Sequence, residues 1–350
     1  MKLTILFGGA SFEHEISIVS AITIKEKLAS FDLNFIFCDG DHTFYLIEPS
    51  KMKAVTFSKG EHKKMPQVSL SQGAFVQHKK GMFGSSTEYK DVVLNLIHGA
   101  DGEDGTIAAL LDFYSIKYIG PRVDASTFSY DKRYTKYLCE AIDVKSVRYE
   151  IARKDELSNL SIDYPIIVKP SRLGSSIGVS IVKDESELDY ALDVAFEFDS
   201  VVLIEPFLKG VKEYNLAGYF ANGTMHYSIV EEPHKEEFLD FDKKYMDFSR
   251  SEQVLKADIS SELEIKLKAN FDKVYRGLFE GALIRCDFFV HNDEVLLNEI
   301  NPIPGSMANY LFDDFQDVIS KLSKSLPKEQ NIVINYEYVN KIQNAKGKAC

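Results

Sequence analysis

The sequence has few cysteines, no long apolar run and no targeting signal at its start. Its four cysteines, Cys38, Cys139, Cys286 and Cys350, are scattered and form no CxxC pair, which disfavours a disulfide scaffold or a zinc module. No apolar run approaches the roughly 18 residues of a membrane span, and the apolar stretch before Gly8 is too short for a signal peptide. We therefore expect a cytoplasmic protein.

Positive charge and two common nucleotide-binding motifs are also lacking. The chain has 53 acidic and 41 basic residues, a formal net charge of -12, which argues against a nucleic-acid or membrane partner. No G-x-x-x-x-G-K-[ST] loop occurs, and no G-x-G-x-x-G follows a strand, which argues against a dinucleotide-dependent dehydrogenase. A local cationic pocket for a phosphorylated small molecule remains compatible with this composition.

The first third of the chain alternates apolar strands, glycine turns and helices. Residues 3–7, 33–38 and 92–97 are predicted strands, and residues 16–28 are a predicted helix. This alternation is typical of a doubly wound parallel sheet, in which ligands bind at the carboxyl ends of the strands. Glycine-rich turns follow the first and third of these strands, so both are candidate ligand sites.

A chain of 350 residues with 45% hydrophobic content can form two or three domains. We predict an N-terminal α/β domain at 1–121, with an insertion near 50–90 that contains at most a hairpin. A small α+β domain is predicted at 122–208, and it begins with one helical stretch over 123–142. The remaining residues, 209–350, are predicted to form a C-terminal domain.

Two segments are candidates for covering a ligand. Residues 170–178, PSRLGSSIG directly after Lys169, offer glycine backbone N–H groups, serine hydroxyls and a lysine charge, as a phosphate-covering loop requires. A plain hairpin is the alternative. The polar, charged and aromatic stretch 231–252 is long for a connection inside a compact domain, which is typical of a functional lid or a disordered segment.

Three charged residues and an asparagine lie in pairs, two positions apart, on two strand-like segments near the end of the chain. They are Arg285 and Asp287 on the first segment, and Glu299 and Asn301 on the second. If these strands pair, Asp287, Glu299 and Asn301 share one face and can act as oxygen ligands of magnesium. Arg285 would stabilise charge on a transferred phosphoryl group. The alternative is a cross-strand salt bridge on a solvated sheet, although the flanking residues are strongly apolar.

The apolar strand at 201–204 leads into a possible purine site. Phe207 and Leu208 could pack against the ring, and Glu213 could accept hydrogen bonds from ribose hydroxyls. A core strand that ends in a turn is the alternative.

A carboxylate also follows the first glycine turn. Glu13 lies at a predicted helix start, where it could bind an ammonium group while helix N–H groups bind a carboxylate. The alternative is that Ser11 or Glu13 merely caps the helix.

Seven phrases occur in one order along the chain: LFGGASFEHEIS, HGADGEDG, KPSRLGSSIGV, VLIEPFLKGVKEYN, KKY at 243–245, RCDFF and NEINPIPG. Together they resemble the D-alanine–D-alanine ligases of the ATP-grasp superfamily, from about residue 3 to 325. The resemblance implies a three-domain ATP-grasp architecture of α/β and α+β units with an N-terminal doubly wound parallel sheet. It also implies that the lid lies near 231–252.

The resemblance implies an activity as well. Members join two D-alanine molecules at the expense of ATP, through an acyl phosphate, with two Mg²⁺ (or Mn²⁺) ions, and supply a peptidoglycan precursor. It further implies D-alanine and ATP as small-molecule partners, and a homodimer. Another ATP-grasp carboxylate-amine or carboxylate-thiol ligase is the alternative. A non-catalytic nucleotide sensor is a second alternative, although no expected metal ligand or loop lysine is missing.

Site residues follow from the same resemblance. The implied ATP contacts are Lys132, Lys169, Ser175, Ser176, Glu205, Phe207, Leu208, Glu213, Phe238 and Lys244. The implied metal ligands are Asp287, Glu299 and Asn301. The implied substrate contacts are Glu13, His98, Gly305, Ser306 and Tyr310. The implied catalytic residues are Glu13, Ser175, Tyr245 and Arg285. Tyr310 departs from the family pattern, because many members have a serine there that reaches the second substrate's carboxylate.

Overall fold

The computed structural model describes residues 1–78, 85–154, 160–233, 256–328 and 332–345. Within these ranges the strands form three sheets that follow one another along the chain. No helix in the described ranges is long and apolar enough to cross a membrane.

The first sheet has eight strands in the order β6-β5-β4-β3-β2-β1-β7-β8. Its strands are β1 (Lys2–Gly8), β2 (Asp32–Cys38), β3 (Phe44–Ile47), β4 (Gln67–Ser71), β5 (Ala74–His78), β6 (Ser86–Tyr89), β7 (Val92–Asn95) and β8 (Tyr118–Ile119). Strands β2, β1, β7 and β8 are parallel, which confirms the predicted α/β sheet. Strands β3 to β6 extend it in antiparallel fashion from β2.

The insertion at 50–90 is therefore more structured than predicted. Instead of at most a hairpin, it supplies three strands of the main sheet. It also contains the short helix α2 (Ala54–Ser58) and a 3-10 turn at Glu61–Lys64. The prediction failed because these strands bury few side chains. In β4, with sequence QVSLS, Val68 is the one fully buried residue. An antiparallel edge that faces water on one side gives only this weak apolar pattern.

Helix α1 (His14–Lys27) follows β1 through a tight glycine turn. Gly8 has φ +102°, and a Cβ there would lie 2.1 Å from the Cys38 carbonyl oxygen, so only glycine fits. The buried Ser17 hydroxyl accepts from the Gly8 N–H at 2.8 Å and donates to the Leu96 carbonyl at 2.6 Å. These bonds fix the start of α1, and with it Glu13, at the carboxyl ends of β1 and β7. Helix α3 (Thr106–Phe113) follows β7.

The second sheet is antiparallel, in the order β11-β10-β12-β9. Its strands are β9 (Glu150–Arg153), β10 (Ile166–Pro170), β11 (Ser180–Val182) and β12 (Val201–Pro206). Helix α6 (Leu188–Phe196) packs against this sheet, and α4 (Val123–Tyr130) and α5 (Lys132–Ala141) precede it in the chain.

The predicted single helix over 123–142 is wrong, because α4 and α5 are separated at Asp131. This residue has extended backbone angles, and its side chain caps α5 by accepting from the Arg133 N–H at 3.0 Å. An aspartate at this position competes for backbone hydrogen bonds and favours a helix start. The break makes Lys132 the first residue of α5.

The third sheet, in the order β14-β13-β15-β16, is also antiparallel. Its strands are β13 (Lys212–Ala221), β14 (Thr224–Glu231), β15 (Leu283–His291) and β16 (Glu294–Asn301). The later helices are α7 (Ser261–Tyr275), α8 (Phe315–Lys324) and α9 (Glu337–Ala345). In the β15–β16 register, Arg285 lies opposite Asn301 and Asp287 lies opposite Glu299. The predicted pairing of these two strands is therefore correct.

The first and third sheets share one hydrophobic core. It contains Leu3 and Phe35 from the first sheet, Leu283 from the third, and Ile319 of α8, all with no exposed surface. The second sheet has a separate core. The predicted domain boundaries at 121 and 208 stay a prediction.

Candidate active site

Glu13 and Ser175 come together from different sheets. Glu13 precedes α1, and Ser175 lies in the loop between β10 and β11, yet the Ser175 hydroxyl donates to Glu13 Oε1 at 2.7 Å. A Cβ on Gly174 would lie 2.9 Å from the same oxygen, so the loop needs a glycine at its closest approach. Two of the implied catalytic residues, Glu13 and Ser175, are therefore in direct contact.

His98 lies in a buried polar group beside Glu13. Its Nδ1 is 3.4 Å from Glu103 Oε1, and its Nε2 is 3.0 Å from the Ser20 hydroxyl. The Ser306 N–H donates to that hydroxyl at 3.0 Å. Ser20 therefore connects two predicted substrate residues, His98 and Ser306. Sequence reasoning missed both Ser20 and Glu103, although Glu103 stands in the glycine-rich phrase after β7.

Burial shifts the protonation equilibria of this group toward the neutral forms. Burial raises the pKa of Glu13, and the nearby Glu103 carboxyl raises it further. Burial, with a contribution from Glu299, raises the pKa of Glu103 to about 8. Burial lowers the pKa of His98 to about 4, so its imidazole is neutral at pH 7. Two carboxyl groups thus lie next to a neutral histidine, an environment that favours a cationic ligand.

The two predicted phosphate lysines are each held by a short hydrogen bond close to the β10–β11 loop. Lys169 Nζ donates to Glu205 Oε2 at 2.6 Å. Lys132 Nζ donates to the Leu173 carbonyl at 2.6 Å and lies 3.4 Å from Glu299 Oε1. Lys132 therefore links the loop to the predicted metal residues.

The base of this loop is fixed by carboxylates that the sequence analysis did not single out. The Ser171 hydroxyl donates to Asp131 Oδ1 at 2.5 Å. Arg172 donates to Asp199 from both its backbone N–H, at 2.9 Å, and its guanidinium, at 2.5 Å and 3.1 Å. Two separate attachments therefore position the residues that precede Gly174.

A second lysine reaches Glu205 from α5. Lys136 Nζ lies 2.7 Å from Glu205 Oε1 as an ion pair without hydrogen-bond geometry. Burial alone would raise the pKa of Glu205, but Lys169 and Lys136 outweigh it and hold that pKa below its ordinary value. The sequence analysis missed Lys136, although its i, i+4 spacing from Lys132 places both on one face of α5.

The structure describes four further residues of the predicted nucleotide site. Phe207 and Leu208 follow β12 and are half-buried, and Glu213 is half-buried near the start of β13. Ser176 follows Ser175 in the loop, and both have left-handed backbone angles, with φ 60° and 55°. Phe238, Lys244 and Tyr245, and most of the predicted lid at 231–252, lie outside the described residues.

Arg285, Asp287 and Asn301 form one hydrogen-bonded group on the face that β15 and β16 share. Arg285 donates to both Asp287 oxygens, at 2.7 Å and 2.9 Å, and Asn301 Nδ2 donates to Asp287 Oδ2 at 3.0 Å. Glu299 lies opposite Asp287 in the register. Two carboxylates and an amide are a donor set that suits magnesium.

No group of three or more His, Cys, Asp and Glu side chains in the described ranges could hold a metal ion. The predicted set is of a different kind, with two carboxylates and one amide. The metal assignment stays a prediction.

The turn after β16 presents the remaining predicted substrate residues. Gly305 begins a 3-10 turn, Gly305–Leu311, in which Ser306, Met307 and Ala308 have left-handed φ between 47° and 54°. Arg285 Nη1 donates to the Tyr310 hydroxyl at 3.3 Å. The turn is therefore joined to the charged group of β15 through Tyr310, the residue that departs from the family pattern.

An open cleft of about 730 Å³ lies on the outer side of the Glu13–Ser175 contact. Its lining includes Glu13, Tyr130, Leu173 and Phe198. Lys169, Glu205 and Asp287 are not among the lining residues.

Cationic, anionic and neutral polar groups thus converge on the β10–β11 loop, as in enzymes that transfer a phosphoryl group between small molecules.

Comparisons with known proteins identify the family. A family model for the N-terminus of D-ala D-ala ligase matches residues 2–121, and one for its C-terminus matches residues 138–316. The chain is 71% identical over 348 residues to the D-alanine–D-alanine ligase of Sulfurimonas denitrificans, covering 99% of this chain and all of that one. It is 60% identical over 349 residues to that of Sulfurovum sp., with full coverage of both chains.

A solved structure agrees with the sequence comparisons. The crystal structure of the D-alanine–D-alanine ligase from Helicobacter pylori is 47% identical, covers 94% of this chain and 100% of its own, and superimposes with a TM-score of 0.83. The chain belongs to the D-alanine–D-alanine ligase family. The family resemblance and the fold class predicted from the sequence are both confirmed.

Proposed function

We propose that this protein joins two D-alanine molecules into D-alanyl-D-alanine with hydrolysis of ATP to ADP and phosphate, which supplies a peptidoglycan precursor. The observation that carries this proposal is the full-length identity of 51–71% to relatives named D-alanine–D-alanine ligase. The arrangement of charged groups around the β10–β11 loop supports it independently.

The first D-alanine would bind beside Glu13. Its ammonium group would place a positive charge next to Glu13 and Glu103, on which Lys132 already acts more weakly. Proton loss from Glu13 would then be favoured, because a neighbouring positive charge stabilises the carboxylate. His98, which is neutral at pH 7, would donate a hydrogen bond near the substrate carboxylate without neutralising its charge.

ATP would bind between the second and third sheets. Lys132 and Lys169 would contact its phosphates, and Ser175 and Ser176 would lie over the γ-phosphate. The adenosine part would contact Phe207, Leu208 and Glu213, while Glu205, whose side chain is 4% exposed, would act through its pair with Lys169. From the family resemblance, Phe238 and Lys244 would complete the nucleotide contacts, and Tyr245 would join Glu13 and Ser175.

Asp287, Glu299 and Asn301 would hold the two Mg²⁺ ions. When bound, these ions offset the negative charge of the transferring phosphoryl group. The contact of Lys132 with Glu299 supports a common location for metal and phosphate residues.

In the first step, the carboxylate of the bound D-alanine attacks the γ-phosphorus of ATP, and ADP leaves. In the second step, the amine of a second D-alanine attacks the acyl carbon, and phosphate leaves with the bonding electrons. Arg285 would stabilise the oxyanion that forms at that carbon, and the Gly305 N–H would bind the acyl phosphate. Ser306 and Tyr310 lie in the adjacent turn, where the second substrate's carboxylate would bind.

Three further expectations belong to this proposal. The domains would be 1–121, 122–208 and 209–350, and separate sheets in these stretches support that division. The enzyme would act in the cytoplasm, where ATP is available, and as a homodimer. Cell fractionation and light scattering of the purified protein test the last two points.

The deciding experiment measures ADP and phosphate release with D-alanine and identifies the product by mass. We expect one ADP and one phosphate for each D-alanyl-D-alanine formed. ATP-dependent phosphate release with another amino acid, but not with D-alanine, would assign the chain to a different carboxylate-amine ligase activity.

A further inference from the structure

Lys136 is a buried cation that the proposed reaction does not use. Its side chain is 2% exposed, and its Nζ donates to the Val147 carbonyl at 3.1 Å besides lying 2.7 Å from Glu205 Oε1. Burial lowers the pKa of Lys136, although the Glu205 carboxylate opposes this shift. A buried ammonium group is costly unless it is paired, so its position depends on Glu205.

Glu205 lies between two ammonium groups, one on each carboxylate oxygen. Lys169 contacts Oε2 at 2.6 Å, and Lys136 contacts Oε1 at 2.7 Å. The three formal charges sum to one positive charge. If Lys136 were absent, Glu205 and Lys169 would form a neutral pair, and Lys169 would have less charge to offer to a phosphate.

Exposure distinguishes the two lysines. The Lys169 side chain is 12% exposed, whereas those of Glu205 and Lys136 are 4% and 2% exposed. Lys169 is therefore the member of the group that a ligand can reach, and Lys136 lies behind the carboxylate. Lys136 is also one helical turn beyond Lys132, so α5 carries one lysine toward the loop and one toward Glu205.

We propose that Lys136 is a positioning residue that neutralises Glu205 from behind, so that Lys169 presents its positive charge to the phosphates of ATP. This inference rests on the proposed function, in which Lys169 contacts those phosphates. It predicts that Lys136 affects the binding of phosphate groups and not the binding of adenosine.

The test measures the affinities of Lys136→Met for ATP and for adenosine by calorimetry, with the parent enzyme alongside. We expect ATP affinity to fall about tenfold and adenosine affinity to change less than about twofold, since the Glu205 carboxylate, without Lys136, would be balanced by Lys169 alone. Lys136→Arg keeps the charge and should remain within about threefold of the parent for ATP. Equal losses for ATP and adenosine, or no loss for ATP, would overturn the proposal.

A second comparison uses the Glu205→Gln background, where the carboxylate charge is absent. There, Lys136→Met should change ATP affinity less than about twofold, because Lys169 has no carboxylate to pair with. A tenfold loss that persists in this background would also overturn the proposal. Should Lys136→Met alone fail to fold, Glu205→Gln is compared with Lys136→Gln/Glu205→Gln, and the same twofold limit applies.

The surface variant Lys145→Met serves as a matched control, because Lys145 pairs with the exposed Glu294. It should leave both affinities unchanged. ADP formation by the parent enzyme with D-alanine separates the two hypotheses. A parent that binds no ATP contradicts the proposed function, whereas an active parent with an unaffected Lys136→Met contradicts only this inference.

Discussion

Glu205 and Glu103 are both largely enclosed acidic residues, with side chains 4% and 16% exposed, yet their protonation differs. Glu205 has an ammonium group within 2.7 Å of each oxygen, and its pKa is lowered. In the described ranges, the basic side chain in contact with Glu103 is the neutral His98 at 3.4 Å, Lys132 acts on it only weakly, and its pKa is raised to about 8. Burial acts in the same direction on both, so the ammonium groups in direct contact decide the outcome.

The contrast separates two kinds of ligand environment in one active site. Around Glu205 and Lys169 the protein supplies both signs of charge, with an excess of positive charge that suits phosphates. Around Glu13 and Glu103 the described residues place no lysine or arginine in direct contact, and Lys132 acts on both carboxyls only weakly, which suits a substrate ammonium. One active site can therefore attract both the negatively charged phosphates and the positively charged ammonium group of its substrates.

The largest effect is expected at Asp287, a carboxylate that has its cation. Asp287→Asn removes the charged acceptor of Arg285 and one carboxylate of the predicted metal set. We expect turnover to fall by about 100- to 1,000-fold, while the free energy of unfolding changes by about 1–2 kcal/mol. Steady-state kinetics and thermal unfolding measure the two quantities.

Glu294→Gln is the matched control, because Glu294 lies on the same strand, β16, in an exposed pair with Lys145. It should retain parental activity. Parental turnover in Asp287→Asn would contradict the assignment of Asp287 to the metal and phosphoryl site.

The next largest effect is expected at Glu13, a carboxyl that forms no ion pair within the described ranges. Glu13→Gln keeps an acceptor for Ser175 but removes the charge that would pair with the substrate ammonium. The KM for the first D-alanine should rise by about 30-fold, since a buried charge pair is lost, and the KM for ATP should change by less than about twofold. Equal rises in both KM values would show that the residue does not distinguish the two ligands.

A smaller effect is expected for Ser175→Ala, which removes only the 2.7 Å bond between the loop and Glu13. The value of kcat/KM for D-alanine should fall by about 5- to 10-fold, the cost of one hydrogen bond to an ionisable acceptor. Ser186→Ala removes an exposed serine that bonds to Asp184 and should change kcat/KM by less than about twofold. If both variants behave alike, the contact between loop and Glu13 has no part in catalysis.

The last effect is expected in stability and not in activity, in the pH dependence of unfolding for Glu103→Gln. The folded pKa of about 8 exceeds the ordinary value of 4.5, so the parent loses stability as pH rises from about 4.5 to about 8. The variant, which cannot ionise there, should gain about 4 kcal/mol over the parent between pH 5 and pH 9. Urea unfolding at several pH values measures the difference, and a constant difference would mean that Glu103 does not titrate in this range.

Much of the site could be predicted because its residues are positioned by short sequence patterns, such as residue spacing on a strand and a glycine turn before a helix. The i, i+2 spacing of Arg285 with Asp287, and of Glu299 with Asn301, fixes which side chains share a face once the strands pair. The glycine turn after β1 likewise fixes Glu13 at the start of α1. In both cases the relevant neighbours lie within a few residues or on adjacent strands.

The missed residues depend on contacts between distant parts of the chain. Lys136 and Glu205 are far apart in sequence, and a lysine on an amphipathic helix ordinarily faces water. Ser20 lies on the apolar face of α1, where a small polar residue gives no signal of its own. The prediction for the insertion at 50–90 failed for a related reason. Edge strands with one solvated face have little apolar content.

The core shared by the first and third sheets has a consequence for biosynthesis. Leu3 and Phe35 leave the ribosome early, but their partners Leu283 and Ile319 are translated about 300 residues later. Helix α1 covers part of this face of the first sheet, and the rest stays exposed until nearly the whole polypeptide has emerged. Chaperone engagement should concentrate on that interval, and truncation before residue 283 should leave an aggregating fragment in place of a stable amino-terminal piece.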